Sequence, residues 1–292
     1  MSEPAVFVTG ATGVVGSAVV QHLLNRNVPV LAAVRSVTDA AALPVKATVR
    51  RFDFDSTPAE LTAALIGADR LFLMRPPPLE NVARYLSPLI DAAKHAGIRQ
   101  IVFLSLQGVQ GVQGVQGNRK TPHHAVEKYL RQQNALYTFL RPNFFMQNLS
   151  TTSAKRIRDR GEIFVPAGSS RAAYIDARDI GRVAANVFTA PGHLRKAYTL
   201  SGEQSLSYRN IADIMTVVLA RPIRYSRPSE AEYLAELAAE GRPLSYVDVQ
   251  KMIYRVVRWN FSAFPNRTVR KLTGMPATTF REFAHDSRNT WQ

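Results

Sequence analysis

Residues 6–20 read VFVTGATGVVGSAVV, an apolar run that meets three glycines and then continues as a second apolar run. Gly10, Gly13 and Gly16 are spaced GxxGxxG, directly after a predicted strand and at the start of a predicted helix. Gly10 would permit a tight turn, Gly13 would let backbone amides approach a pyrophosphate, and Gly16 would let the helix pack closely on the strand. The stretch therefore predicts a dinucleotide-binding turn.

The first half of the chain alternates short β-branched runs with longer amphipathic stretches. The predicted strands are residues 5–10, 28–35, 47–54, 68–76, 98–106 and 135–142, and the predicted helices are residues 17–27, 57–67, 80–97 and 121–134. This alternation indicates βαβ units, and hence a parallel sheet with helices on both faces.

The second half is less regular. It contains a predicted helix near 150–160, a strand-like run at 172–176, a helix at 177–190 and a strand at 197–202, followed by a mostly helical pattern. We therefore predict an α/β fold in which residues 1–150 form a doubly wound core completed by about 173–202. The remainder of residues 151–292 would form a smaller, mostly helical substrate-binding lobe.

The composition excludes several classes of protein. The 292 residues are 46% hydrophobic and 20% charged, which is ordinary for a globular chain, and they contain no cysteine. A disulfide framework, a thiolate metal site and a cysteine nucleophile are thereby excluded. The histidines show no paired ligand spacing, so we expect no metal site. The N-terminal residues lack the basic region of a signal peptide and no apolar run is long enough to cross a bilayer, so we expect a cytoplasmic protein without membrane attachment.

The formal net charge of +15 is spread along the chain without a basic tail. No helix-turn-helix, zinc or RNA-binding signature accompanies it, so we do not expect nucleic-acid binding. A distributed positive field instead concentrates small anions such as a dinucleotide phosphate.

The second predicted strand ends at Arg35, where NAD-specific proteins of this fold carry an acidic residue for the ribose hydroxyls. An arginine there can bind a 2′-phosphate through two hydrogen bonds, so Arg35 and its neighbour Ser36 predict a preference for NADP(H) over NAD(H). The alternative is a solvated arginine at a strand end. Asp53 and Phe54, at the end of the third predicted strand, are placed to bound an adenine.

GVQGVQGVQG at 108–117 is an internal repeat of three triplets, too short for a solenoid. It follows the fifth predicted strand, at the edge of the sheet where ligands of such folds bind. Two interpretations stay open: a mobile loop that buries little apolar surface, or a lid over the ligand.

Four stretches carry a resemblance to a known family: TGATGVVG (9–16), FDFD (52–55), LRPNFFMQN (140–148) and YIDARDIGRVAA (174–185). Over nearly its whole length the chain resembles the NmrA-like, atypical branch of the short-chain dehydrogenases/reductases, which includes quinone reductases and clavine dehydrogenases. The resemblance implies a Rossmann-type NAD(P)-binding core, a small C-terminal substrate lobe and an active site in the cleft between them.

The resemblance also implies roles for individual residues. The pyrophosphate would be touched by Gly10, Thr12, Gly13, Val14 and Val15. The nicotinamide would be flanked by Leu73, Met74 and Arg75 and bordered by Pro142, Asn143 and Phe144. For Phe144, a core position and a pocket wall both fit the sequence.

One departure from the superfamily pattern bears on the chemistry. The Tyr-x-x-x-Lys pair supplies the proton in carbonyl–alcohol reactions. With the helix register set by Glu127, the lysine position falls on His123 and the tyrosine position on Arg119. Tyr129 is followed four residues later by Gln133, so it does not rebuild the pair. His123 and Ser105 are then the candidate catalytic residues, although a packed histidine at the helix start is an equally good interpretation of His123.

Two functions remain open on the sequence. The first is an NADPH-dependent reductase that transfers a hydride to an electron-poor small molecule, such as a quinone or an iminium ion, which needs no strong acid. The second is a non-catalytic, NADP(H)-sensing regulatory protein that acts through a protein partner.

Overall fold

The computed structural model describes residues 5–76, 79–110 and 121–292. The strands in chain order are β1 (Ala5–Val8), β2 (Val30–Val34), β3 (Thr48–Arg51), β4 (Ala68–Met74), β5 (Gln100–Leu104), β6 (Tyr137–Pro142), β7 (Glu162–Ile163), β8 (Arg171–Ala172), β9 (Lys196–Leu200), β10 (Leu206–Ser207) and β11 (Arg224–Tyr225).

The α-helices follow in the same order: α1 (Val14–Leu24), α2 (Pro58–Ala64), α3 (Val82–Tyr85), α4 (Ser87–His95), α5 (Pro122–Gln132), α6 (Ala154–Arg160), α7 (Ala177–Thr189), α8 (Tyr208–Leu219), α9 (Glu230–Ala239), α10 (Leu244–Arg258), α11 (Thr268–Thr273) and α12 (Phe280–Asp286). Short 3₁₀ helices cover Val37–Ala42, Met146–Asn148 and Arg288–Thr290. None of the helices in the described ranges combines the length and the apolar character needed to cross a membrane.

The chain divides into two compact units. Unit 1 comprises Met1–Pro142, Ala177–Leu200 and Lys271–Gly274, and unit 2 comprises Asn143–Asp176, Ser201–Arg270 and Met275–Gln292.

The centre of unit 1 is a sheet that, in the described residues, has seven strands in the order β3–β2–β1–β4–β5–β6–β9. Every pairing in it is parallel. This is the doubly wound Rossmann order with one added strand, and the order reverses between β1 and β4, the position at which such sheets bind ligands. The predicted α/β fold with a parallel, doubly wound sheet is confirmed.

Helices cover both faces of this sheet. On one face α1 packs against α7 so closely that a Cβ on Gly181 would collide with the backbone of Ala18. On the other face α2, α4 and α5 enclose a core that includes Phe7, Phe103 and Phe139, all fully buried. Burial on both faces explains the near-continuous apolar strands of the sequence.

The predicted single helix at 80–97 is wrong in one respect, because the structure breaks it into α3 and α4 at Leu86. Pro88 lies in the first turn of α4, where its missing N–H is tolerated. Inside a continuous helix the same proline would remove a hydrogen bond and clash with the preceding turn.

Unit 2 has a helical framework with two short strand pairs, β7 with parallel β11 and β8 with antiparallel β10. The strand predicted at 172–176 is shorter than expected because β10 offers only two residues to pair with β8, and Ile175 makes an isolated bridge to Phe145. Trp291, which follows the last 3₁₀ helix, is fully buried, and its indole N–H donates to the carbonyl oxygen of Leu149 at 2.8 Å.

Candidate dinucleotide-binding site

The glycine turn after β1 has the geometry that its spacing predicts. Gly10 adopts φ +61°, a left-handed conformation that favours glycine. The amide of Gly13 donates to the carbonyl oxygen of Gly10 at 2.9 Å and closes the turn. A Cβ on Gly16 would collide with the same carbonyl, so the start of α1 lies directly on the turn. The predicted tight turn and close approach are confirmed.

Thr9 holds this turn to the neighbouring strand. Its fully buried hydroxyl donates to the carbonyl oxygen of Phe72 at 3.0 Å and accepts from the amide of Met74 at 2.8 Å. The side chain of Met74 lies against Gly10, where any Cβ would meet it. Sequence reasoning did not identify Thr9, although a threonine ending an apolar strand just before the glycine turn was a usable signal.

The N-terminus of α1 faces the turn without a side-chain cap. Gly13 is its N-cap residue, and in the described structure no side chain bonds to its first-turn amides and no acidic residue lies in that turn. Complete capping boxes begin α2, α8, α9 and α12, whereas α4, α6 and α10 lack a side-chain cap as α1 does. Amides left uncapped in this way, beside a cradle that a Cβ would fill, fit a pyrophosphate.

The residues predicted to contact that pyrophosphate differ in exposure. Thr12 and Val14 are exposed, whereas the side chain of Val15 is buried. Val15 can therefore contribute its backbone but not its side chain.

Arg35 and Ser36 follow β2 directly. Arg35 is exposed, and its side chain forms no hydrogen bond or ion pair with any other described residue. Ser36 caps the 3₁₀ helix Val37–Ala42: its hydroxyl accepts from the amide of Thr38 at 3.3 Å, and its own amide donates to Asp39 at 3.2 Å. Arg35 thus offers an uncommitted guanidinium, while the polar groups of Ser36 already have partners.

Asp53 and Phe54 lie two and three residues beyond the end of β3. Asp53 is exposed, and its carboxylate accepts from the amide of Asp55 at 3.0 Å. The ring of Phe54 is 8% exposed and packs edge-to-face on Phe52, with centroids 5.0 Å apart. The ring belongs to the core, and the place of both residues beside an adenine stays a prediction.

Leu73 and Arg75 lie at the end of β4 on either side of Met74. Leu73 is fully buried in the core of unit 1. Arg75 is partly buried and donates to the carbonyl oxygens of Pro76 and Leu79, both at 3.0 Å, and burial lowers its pKa. Their place along the nicotinamide stays a prediction.

Ser105, at the end of β5, is engaged by a buried carboxylate. Its hydroxyl donates to Glu127 at 2.7 Å. Glu127 is fully buried and also accepts from Arg141, at 2.8 and 2.6 Å, and from Arg131 at 2.9 Å. Burial raises the pKa of Glu127, but hydrogen bonds from Arg141 and Ser105 outweigh it and hold the pKa below its usual value. Glu127 is therefore ionised, and the hydroxyl of Ser105 donates a hydrogen bond to its carboxylate.

The sequence suggested Glu127 only as a marker of helix register. Its position on the same face of α5 as the apolar residues Val126 and Leu130, both of which are buried, could have indicated that Glu127 is a buried carboxylate. A charge on an apolar face requires partners, which Arg131 and Arg141 supply.

His123 lies in the first turn of α5, partly buried, with its ring centroid 6.1 Å from that of Phe103. Burial and the positive charge of Arg75 lower the pKa of His123 to about 4. The ring is therefore neutral at pH 7 and is a weak source of protons. Arg119, at the expected tyrosine position, lies outside the described residues. Across the described ranges, no group of three or more His, Asp or Glu side chains is arranged to bind a metal ion.

The first copy of the GVQ repeat packs against this cluster. Val109 is fully buried, and its carbonyl oxygen lies 3.2 Å from Nδ1 of His124. With its amide oriented to satisfy both neighbours, Gln110 accepts from Arg141 at 2.9 Å and from Arg131 at 3.3 Å. The expectation that the repeat buries little apolar surface is wrong for Val109, whereas Gly108 and Gln110 are exposed and residues 111–117 lie outside the described residues.

Pro142 ends β6 in unit 1, and its carbonyl oxygen accepts from the amide of Gln107 at 3.0 Å. Asn143 and Phe144 begin unit 2. Asn143 is buried; its side-chain nitrogen donates to the carbonyl oxygen of Ser262 at 2.9 Å and its side-chain oxygen accepts from the amide of Phe144 at 2.7 Å. The place of these three residues beside the nicotinamide stays a prediction.

Phe144 is partly buried against the core of unit 2. A small, open cavity in that unit is lined instead by Met146 and Tyr174, together with Leu206 and Phe280. Of the two interpretations of Phe144, the contacts favour the core.

Comparisons with known proteins agree with this architecture. The family model described as the NmrA-like family matches residues 2–272. An NAD(P)H azoreductase from Xenophilus azovorans is 34% identical over 279 residues, 96% of each chain. The crystal structure of an NADPH-dependent quinone oxidoreductase from Escherichia coli, complexed with NADPH, superposes with a TM-score of 0.85 at 29% identity, covering 96% of this chain and 99% of that one.

The structure of NmrA, a negative transcriptional regulator, in complex with NADP gives a TM-score of 0.74 at 17% identity, covering 98% of this chain and 95% of that one. At that identity the likeness concerns the fold alone. A family match over nearly the whole chain, a relative at 34% identity and the glycine turn of the sheet lead to one conclusion: the chain belongs to the NmrA-like family.

Proposed function

We propose that this protein is an NADPH-dependent reductase that transfers a hydride to an electron-poor small molecule of the quinone or iminium type. The observation that carries the proposal is the hydrogen bond from Ser105 to the buried Glu127, because it commits the hydroxyl that would otherwise protonate a carbonyl. The similarity to an NAD(P)H azoreductase and to an NADPH-dependent quinone oxidoreductase supports it.

The glycine turn and the N-terminus of α1 hold the pyrophosphate, with Thr12, Val14 and Val15 lining the approach. Arg35 binds the 2′-phosphate and so selects NADP(H) over NAD(H), since its guanidinium has no other described partner. Leu73, Met74 and Arg75 belong to the nicotinamide side. When bound, NADPH supplies a hydride.

The two candidate acid catalysts, Ser105 and His123, are poorly placed to donate a proton to a substrate. The Ser105 hydroxyl donates its proton to a hydrogen bond with an anion, and His123, with a pKa of about 4, is neutral at pH 7. A ketone needs a proton at its oxygen as the hydride arrives, whereas an iminium ion needs none and a quinone can take one from water. The chain therefore suits acceptors that are already electron-poor.

The regulatory alternative came from the resemblance to the NmrA-like family, and the structural likeness to NmrA, at 17% identity, concerns the fold alone. No described feature of the site favours it, so the reductase is the function we put to the test.

The test follows NADPH oxidation by absorbance with 1,4-naphthoquinone, a cationic imine and cyclohexanone as acceptors. We expect turnover with the first two and almost none with the ketone. His123→Ala and Ser105→Ala should each cost less than the ~10²–10⁴-fold that loss of an essential general acid costs. Ketone reduction that Ser105→Ala abolishes would refute the proton argument. Tight NADPH binding without turnover on any acceptor would refute the reductase itself.

A further inference from the structure

Three aromatic rings are exposed within six residues of unit 2, between α10 and α11. We call residues 259–264 the aromatic turn. Trp259 is 61% exposed, Phe261 39% and Phe264 74%. Exposed single apolar residues are common, but several large ones side by side mark a binding surface.

The backbone of the aromatic turn is nevertheless held at several points. The side-chain oxygen of Asn260 accepts from the amide of Arg171 at 2.8 Å. The carbonyl oxygen of Ser262 accepts from the amide of Ala173 at 2.8 Å and from the side chain of Asn143 at 2.9 Å. The rings are therefore presented to solvent from an anchored backbone, so that less order would be lost when a ligand binds.

The anchoring also fixes where the rings lie. Ser262 sits between the exposed rings in sequence and bonds directly to Asn143, one of the residues predicted to border the nicotinamide. The aromatic turn is thus hydrogen-bonded, within unit 2, to a residue of the proposed site.

The rings have an arrangement that suits flat ligands. Trp259 and Phe261 are 6.0 Å apart between centroids with an interplanar angle of 80°. A flat molecule laid on the face of one ring meets the other edge-on, and both contacts are favourable between aromatic groups. Because the face of an indole is electron-rich, an electron-poor ring is the better partner.

From these contacts we infer that the aromatic turn binds the electron acceptor by stacking on Trp259 and selects planar aromatic acceptors over aliphatic ones. This inference rests on the proposed function, since it names the acceptor class for that reductase. It assigns Trp259 a role in acceptor binding and none in hydride or proton transfer.

The first experiment measures binding without turnover. The chain has two tryptophans, of which Trp259 is exposed and Trp291 is fully buried. Titration of the purified full chain with 1,4-naphthoquinone, without NADPH, should quench tryptophan emission saturably and leave the excited-state lifetime unchanged. In Trp259→Phe, where only the buried Trp291 emits, the saturable quenching should disappear. Quenching that is unsaturable, or that persists in Trp259→Phe, overturns the inference.

The second experiment measures steady-state kinetics with NADPH and the same quinone. Trp259→Ser should raise KM for the quinone about tenfold, the value of one aromatic contact of ~1.4 kcal/mol, with kcat within about twofold. The affinity for NADPH should not change. The matched control is Val217→Ser, which removes an exposed apolar side chain from α8. A KM that is unchanged in Trp259→Ser, or equally raised in Val217→Ser, overturns the inference.

The two proposals fail in distinguishable ways. Quinone turnover that does not depend on Trp259 would refute this inference but not the proposed reductase function. Saturable quenching without any turnover would refute only the proposed reductase function. A second copy of the chain is the other occupant to consider for exposed rings. Light scattering that shows a concentration-dependent dimer, lost in Trp259→Ser, would assign the rings to self-association and overturn stacking of the acceptor.

Discussion

Replacement of Arg35 by serine should separate the two nicotinamide cofactors. The guanidinium is exposed and has no partner in the described residues, so its removal breaks no internal contact and should change the free energy of unfolding by less than about 0.5 kcal/mol. A charge-assisted hydrogen bond contributes about 1.5–3 kcal/mol, which corresponds to about 10- to 150-fold in affinity. Because Arg35 is solvated, we expect the lower end, an approximately tenfold rise in the Kd for NADPH.

The assay is a fluorescence titration of the purified chain with NADPH and with NADH, at two salt concentrations. In Arg35→Ser the Kd for NADH should stay within about twofold of the original, since that cofactor carries no 2′-phosphate. The preference for NADPH should also weaken with added salt in the original chain, because exposed charges are screened. Arg209→Ser, which removes another exposed arginine on α8, is the matched control. Equal losses for both cofactors, or no preference before substitution, would refute the role of Arg35.

Three further predictions concern the cluster around α5. Val109→Ser should lower the free energy of unfolding by about 1.5–3 kcal/mol, because the side chain of Val109 is fully buried. The control Val45→Ser, at an exposed position, should leave it unchanged. Equal melting temperatures for the two variants would contradict the packing of Val109. His123→Gln should flatten the pH dependence of stability between about pH 6.5 and pH 4, measured by urea unfolding. In that pH range the unfolded chain binds a proton that the folded chain does not, so the free energy of unfolding of the original protein falls by up to about 3 kcal/mol as the pH is lowered. An unchanged slope in the variant would contradict burial of the ring. Glu127→Ala should lower the free energy of unfolding by about 3–5 kcal/mol, because it leaves Arg141, whose side chain is only 12% exposed, without its anion. Asp55→Ala, which breaks an exposed ion pair, should cost less than about 1 kcal/mol, and similar costs for the two variants would contradict the central role of the buried Glu127.

Some features of the molecule were readable because they depend on local chemistry. A turn that needs a positive φ at Gly10 and no Cβ at Gly16 restricts both positions to glycine, so the motif was visible without the fold. The alternation of strands and helices was visible for the same reason, since the two periods of side-chain burial differ along the chain. Element ends were less certain: α1 begins at Val14, three residues earlier than its apolar pattern indicated.

His123, at the position where the sequence pattern led us to expect a lysine, was also visible in the sequence, but the surroundings of its ring were not. The low pKa of His123 arises from burial and from Arg75, which is 48 residues away along the chain, and nothing in the local sequence records either. Likewise, Phe54 was a reasonable neighbour for an adenine until the sheet placed its ring on Phe52 in the core.

The sequence by itself determined the class of fold and the glycine turn after β1, because each requires particular residues at neighbouring positions. It also placed Arg35 directly after β2, where we propose that it binds the 2′-phosphate. Only the tertiary structure decided how protons are held. Ser105 meets Glu127 across 22 residues, Arg141 meets it across 14, and Asn143 meets Ser262 across 119. Hydrogen bonds and desolvation act between groups a few ångströms apart in space. Which groups become neighbours therefore depends on how α5 packs against the sheet and how the aromatic turn contacts Asn143.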